Sequence, residues 1–201
     1  MIEFIPFPLF IGLGILMILL IIQWHQTQNV SYLFCFSIFW IYLLIVVGLT
    51  LFPIPLLENI VATPIDQRMI FTLAHVNLIP FKYFNDIFPS LIFREILTNI
   101  LLTVPFGFGI SFITRGKPGD IFRLAIVPGL AIESAQLAIS LRIGGPYRTV
   151  DITDVLLNVI GVLLGYGLFR VFAWLYKELT QQFKIKHRGF SAYIYDILSY
   201  S

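Results

Sequence analysis

The sequence predicts an all-α, polytopic membrane helix bundle of about five transmembrane helices, the third and fourth kinked. Three observations predict it. Hydrophobic residues make up 58% of the 201 residues and charged residues only 12%. Soluble domains carry about 25% charged residues, so this chain has too few to coat a water-facing surface. The apolar residues gather in five runs long enough for a bilayer core, which needs about 20 residues of helix. Those runs are continuously apolar and lack the alternation of a membrane β-barrel. The same composition excludes a disordered chain. A net charge of +2 gives no reason to expect nucleic acid. The single cysteine, Cys35, cannot close an intrachain disulfide. No Cys/His set stands at metal-ligand spacing, so neither a metal nor a cofactor is expected.

The first span covers 4–22. It lacks a basic start, and it ends in Gln23-Trp24-His25-Gln26 rather than a small-residue cleavage site, so it reads as a retained helix. The second span, 30–52, completes an N-terminal hairpin, 1–52. The third, 96–113, contains Pro105, Gly107 and Gly109, and the fourth, 121–141, contains Pro128 and Gly129. Kinks are expected in both, because neighbouring helices can satisfy the carbonyls that helix breakers free. The fifth span is 155–176. The segment 53–95 includes Ile60-Val61, Met69-Ile70-Phe71, Leu78-Ile79, Phe81, Tyr83, Phe84 and Phe88. Material this apolar is expected in the interface or over the bundle. The tail, 177–201, begins polar, ends in Phe190, Tyr193, Tyr195, Leu198 and Tyr200, and reads as a surface-lying segment.

Basic residues set the orientation. Arg115, Lys117, Arg123, Arg170, Lys177, Lys184, Lys186 and Arg188 fall on one side, eight in all; Arg68, Lys82, Arg94, Arg142 and Arg148, five, fall on the other. The excess predicts a cytoplasmic C-terminus and an external N-terminus, with segments 53–95 and 142–154 together on the outer face.

The informative residues are polar groups inside spans. Glu133 sits near mid-membrane, where a charge costs roughly 2.5–3.5 kcal/mol on insertion scales. Gln136 and Ser140 share its helical face. For these two, interhelical hydrogen bonds are the plain reading; for Glu133 a functional one is favoured, since Gln would serve packing more cheaply. In the last span Asp151, Asp154, Asn158, Gly161 and Gly165 fall on one stripe of about 80°. Asp151 and Asp154 fit a capping box, which leaves Asn158 unexplained. Gly161-x-x-x-Gly165 permits close helix contact. In the third span Glu95, Asn99, Phe106 and Gly109 share a face. Spacing leaves open whether Glu95, Asn99, Glu133, Asp154 and Asn158, with Arg148 as counter-charge, form one cluster or separate satisfied pairs. A single cluster would need a water-filled cleft reaching Glu133 from outside. His75, alone in a loop, reads as incidental.

The stretch from Asn77 to Gly165 resembles the VanZ-like membrane family. The resemblance rests on Asn77-Leu78-Ile79-Pro80-Phe81, Asn99, Pro105-Phe106-Gly107 and Glu133-x-x-Gln136. It finishes with Arg148-x-x-Asp151-x-x-Asp154-x-x-x-Asn158-x-x-Gly161-x-x-x-Gly165. It implies a multi-pass protein of the bacterial plasma membrane, with 53–176 as the VanZ-like region. It also brings in teicoplanin resistance, the phenotype behind the family name.

Three functions compete. The favoured one is non-enzymatic: the outer-face cluster binds a lipid-linked or cell-wall component and alters susceptibility to lipophilic glycopeptides. The second is a membrane enzyme using Glu133, Asp151 and Asp154 on an envelope lipid, with Arg148 on phosphate; no Ser-His or Cys-His pair, H-E-x-x-H or P-loop supports it. The third is transport with Glu133 as a proton relay, which five spans without inverted repeats disfavour. The oligomeric state is left open by the sequence.

Overall fold

A computed structural model of the chain describes residues 7–54, 65–82, 88–114, 118–145 and 147–199. Residues 1–6, Ile60, Val61, Tyr83, Phe84, Arg115, Lys117 and Tyr200, which figured in the reading above, lie outside the described residues. Five of its helical stretches are long and apolar enough to cross a membrane, giving an all-α membrane bundle.

Helix α1 (Phe7–Thr27) turns through Gln28 into α2 (Val30–Leu51), which Asn29 caps by accepting the Tyr32 N–H at 3.1 Å. The two form a hairpin. Trp40 donates its indole N–H to the Gly12 carbonyl at 3.0 Å, and most remaining apolar side chains of α1 face outward, as lipid-facing residues should. After α2 come the short helix α3 (Ile65–Leu73) and the two-residue strand β1 (Val76–Asn77).

Helix α4 (Pro89–Ile113) begins seven residues before the expected start, so Glu95 lies within it. Pro105 has no N–H to offer Leu101, yet the helix continues through it. Beside it the Tyr42 hydroxyl donates to the Leu102 carbonyl at 2.6 Å, and Phe39 packs on Phe106 at 5.5 Å between centroids. The fourth span is interrupted at one residue: α5 (Pro118–Leu124) and α6 (Ile126–Ile143) meet at Ala125, which keeps helical angles, φ −61° and ψ −30°. Pro128 explains the place, because its ring opposes the carbonyl four residues back, that of Leu124. Gly144 ends α6 in the left-handed region, φ 83°, which costs glycine nothing. Strand β2 (Val150–Asp151) then leads into α7 (Ile152–Gln182), which runs six residues past its expected end.

Helices α4 and α7 form the centre. A Cβ at Gly107 would strike the Val162 carbonyl, and one at Gly161 would strike Thr103 Oγ1 and the Ile100 carbonyl. The backbones therefore touch where only glycine fits. Further along the pair, Phe112 meets Phe169 edge to face at 5.3 Å and 82°. The tail is more than a surface-lying segment. Helix α8 (Phe190–Ser199) buries Tyr193, Ile197 and Leu198 against Phe169 and Ala173, and the Tyr193 hydroxyl donates to the Phe112 carbonyl at 2.6 Å.

Candidate functional site

The two polar segments expected on one face are joined. Strands β1 and β2 pair in parallel, Val76 opposite Val150 and Asn77 opposite Asp151. This ribbon descends between the helices. The Asp151 N–H donates to Glu133 Oε2 at 3.0 Å, yet Glu133 lies ten residues before the end of α6. At 1.5 Å per residue that is about 15 Å, roughly half the hydrocarbon thickness. Asn99, ten residues into α4, lies at a similar depth and donates to Asp154 Oδ1 at 2.6 Å. The expected mismatch between a deep Glu133 and shallow Asn99 and Asp154 is therefore absent. Helix α7 starts inside the bundle, and the Asp151 backbone reaches Glu133 directly.

Each polar residue is held locally. Asn77 is 3% exposed: its Nδ2 donates to Asp151 Oδ2 at 2.8 Å and to the Ile79 carbonyl at 3.0 Å, while its Oδ1 accepts the Ile79 N–H at 3.2 Å. Asp151 caps α7 by accepting the Thr153 N–H at 2.7 Å. Asp154 pairs with Asn99 instead of reaching back to complete a capping box. Thr153 Oγ1 accepts the Phe81 N–H at 3.0 Å, tying the loop after β1 to α7. Thr103 donates to the Asn158 carbonyl at 2.8 Å. Asn158 is 1% exposed, and its side-chain oxygen is buried with no hydrogen-bond partner among the described residues.

The negative groups crowd together. The charges of Asp151 and Asp154 act on Glu133, and those of Glu95 and Asp151 act on Asp154. Arg148 is within electrostatic reach of Glu133, but its side chain is exposed. It contacts the Phe52 carbonyl at 3.5 Å and lies 5.5 Å over the Tyr147 ring, and among the described residues no ion pair joins it to a carboxylate. Among the described residues no group of three or more His, Cys, Asp or Glu converges as metal ligands.

Gln136 and Ser140 sit in interhelical packing. Gln136 donates to the Thr50 carbonyl at 3.2 Å, and Ser140 donates to the Gln136 carbonyl at 2.8 Å while accepting the Tyr147 N–H at 3.2 Å. Pro105, Gly107, Gly161 and Gly165 lie along α4 and α7, and a Cβ on Gly165 would strike the Val104 carbonyl. His75 accompanies none of these groups; its ring bonds the Phe71 carbonyl at 2.8 Å. Sequence reasoning missed Thr153, Thr103 and Tyr147. Thr153 had a signal, a hydroxyl two residues past a capping aspartate; Tyr147, which donates to the Leu51 and Pro53 carbonyls at 3.0 Å, had none.

Five apolar spans around a re-entrant ribbon, with carboxylates and amides at mid-depth, define a polytopic membrane protein with an intramembrane polar site. The VanZ/LLP1 family profile matches residues 39–173, and the chain belongs to that family. The match reaches beyond Asn77–Gly165 to take in the second half of α2. No curated protein and no solved structure matches the chain.

Proposed function

We propose that this VanZ-family protein acts in the bacterial plasma membrane by binding a lipid-linked or cell-wall component at the outer face, altering susceptibility to teicoplanin-type glycopeptides. The observation that carries it is the set of carboxylates held at mid-depth, where Glu133 Oε2 accepts the Asp151 N–H at 3.0 Å and Asp154 Oδ1 accepts from Asn99 at 2.6 Å, with no ion pair from Arg148 among the described residues. Ionisable groups inside a membrane are expensive, and a chain built only for packing has cheaper choices. The ribbon joins this set to the surface, where exposed Arg148 is available to an anionic group. The eight-to-five distribution of basic residues supports an external N-terminus and a cytoplasmic C-terminus. The test compares teicoplanin susceptibility with the gene deleted, overexpressed, and replaced by Asp154→Asn. A change on deletion and overexpression, lost in the variant, is expected; no change in either sinks the proposal.

The crowding of Glu133, Asp151 and Asp154 also favours a second reading, acid/base catalysis on an envelope lipid. Labelled envelope lipids left unaltered by the purified protein, with and without divalent cations, would count against it.

A further inference from the structure

At the other end of the bundle from the ribbon, α2, α4, α7 and α8 enclose an apolar groove of about 440 Å³. Ile38 lines it from α2, Phe108 and Phe112 from α4, Phe172 from α7, and Phe190 and Ile194 from α8. Two of its α2 residues, Phe34 and Ile38, are 56% and 54% exposed. On a membrane-spanning helix that exposure faces hydrocarbon, so the groove opens sideways into the bilayer. Its volume lies in the range of about 300–1,000 Å³ typical of small-molecule sites. It offers water little: the Tyr42 hydroxyl at its wall already donates to the Leu102 carbonyl, and an apolar cavity stays dry.

The charge beside the groove selects among amphiphiles. Lys184, Lys186 and Arg188 are all exposed and occupy the turn between α7 and α8. Phe190, two residues beyond Arg188, lines the groove. We infer that the groove binds one acyl chain of an anionic glycerophospholipid, whose phosphate lies against Lys184, Lys186 and Arg188. Basic residues at a membrane surface each attract anionic lipid by about a kT or more, so three of them distinguish an anionic head from a zwitterionic one. This site is separate from Glu133 and Asp151 and does not depend on the function proposed for them.

The full chain, purified and delipidated in detergent, is incubated with equimolar phosphatidylglycerol and phosphatidylcholine of identical chains, and retained lipid is read by native mass spectrometry. Retention of one lipid is expected, with phosphatidylglycerol preferred about tenfold. The triple variant Lys184→Ala, Lys186→Ala, Arg188→Ala should equalise the two lipids, and Ile38→Trp, which fills the groove, should abolish retention. Cys35, the single cysteine, lines the groove and supplies a reading on the wild-type chain. Its alkylation by an apolar maleimide should slow severalfold with phosphatidylglycerol. Equal retention of both lipids by the wild type overturns the assignment of the head group. Retention indifferent to Ile38→Trp, or a Cys35 rate unmoved by lipid, overturns the site.

Discussion

The backbone N–H of Asp151 donates to the carboxylate of Glu133 at 3.0 Å, and this bond sets the depth at which α7 begins. A donor from a loop residue meets an acceptor at the middle of a span. The first N–H groups of a helix lack partners within it, and a buried helix start must find them elsewhere. Here the N–H of the capping residue finds Glu133, while its side chain serves Thr153 and Asn77.

Substitution at Glu133 should therefore depend on the acceptor and not only on the charge. Glu133→Gln keeps an amide oxygen for the Asp151 N–H. Glu133→Ala leaves that N–H buried and unpaired, a penalty of about 1–3 kcal/mol. Thermal unfolding in detergent should show a clearly larger loss for Ala than for Gln. Equal losses would mean that the bond does not hold the ribbon.

The Asn77–Asp151 pair should be energetically coupled. It joins residues 74 apart in sequence, and both are largely buried. A double-mutant cycle with Asn77→Ala and Asp151→Ala is expected to give an interaction of about 0.5–3 kcal/mol. Additive losses would show that β1 and β2 are held by backbone pairing alone.

The bundle was legible in the sequence because hydropathy runs report solvent, and a span of 18 or more apolar residues has few other meanings. Pro128 marked the interruption of the fourth span, because its ring opposes the carbonyl of Leu124. The site was legible in part. Glu133, Asn99, Asp154 and Asn158 stood out because polar groups in hydrocarbon are costly. The common depth of Glu133, Asn99 and Asp154 was not, for a physical reason: hydropathy locates the apolar part of a helix, while α4 starts earlier, at Pro89, and α7 starts within the bundle. A two-residue ribbon between segments 74 residues apart leaves no periodicity to read. The docking of α8 was equally hidden, since an amphipathic helix looks alike on lipid and on protein.

Two glycines of α7 separate packing from flexibility. A Cβ at Gly161 would strike Thr103 and Ile100, whereas one at Gly167 meets nothing within 4 Å. Gly161→Ala should push α4 from α7 and lose roughly 1–3 kcal/mol, as overpacking does. Gly167→Ala should be neutral or gain up to about 1 kcal/mol, the helix-propensity difference. Matched unfolding curves for the two variants decide it, and a similar loss in both would refute close contact at Gly161.

Docking of α8 should depend on Leu198, which is 0% exposed and packs in the cluster around Phe169. Leu198→Ala is expected to lose about 2–5 kcal/mol locally. Limited proteolysis should then cut the tail markedly faster than in the wild type. Tyr193→Phe, which removes the bond to the Phe112 carbonyl and keeps the ring, should have a smaller effect of about 1 kcal/mol. Unchanged cleavage in Leu198→Ala would mean that the tail is held by something other than this cluster.

Arg148 offers the cleanest separation of function from stability. Its side chain is exposed, and its one hydrogen bond among the described residues, to the Phe52 carbonyl at 3.5 Å, lies at the limit of what geometry allows. Arg148→Ala should therefore leave unfolding within about 0.5 kcal/mol of the wild type, as exposed substitutions usually do. If the outer face recognises an anionic envelope component, the same variant should lose the glycopeptide phenotype proposed for overexpression of the wild-type gene. Arg148→Lys, which keeps the charge without the bidentate fork, should restore it only in part. A fully active Arg148→Ala protein of normal stability would remove Arg148 from the recognition surface and leave the carboxylates alone to carry it.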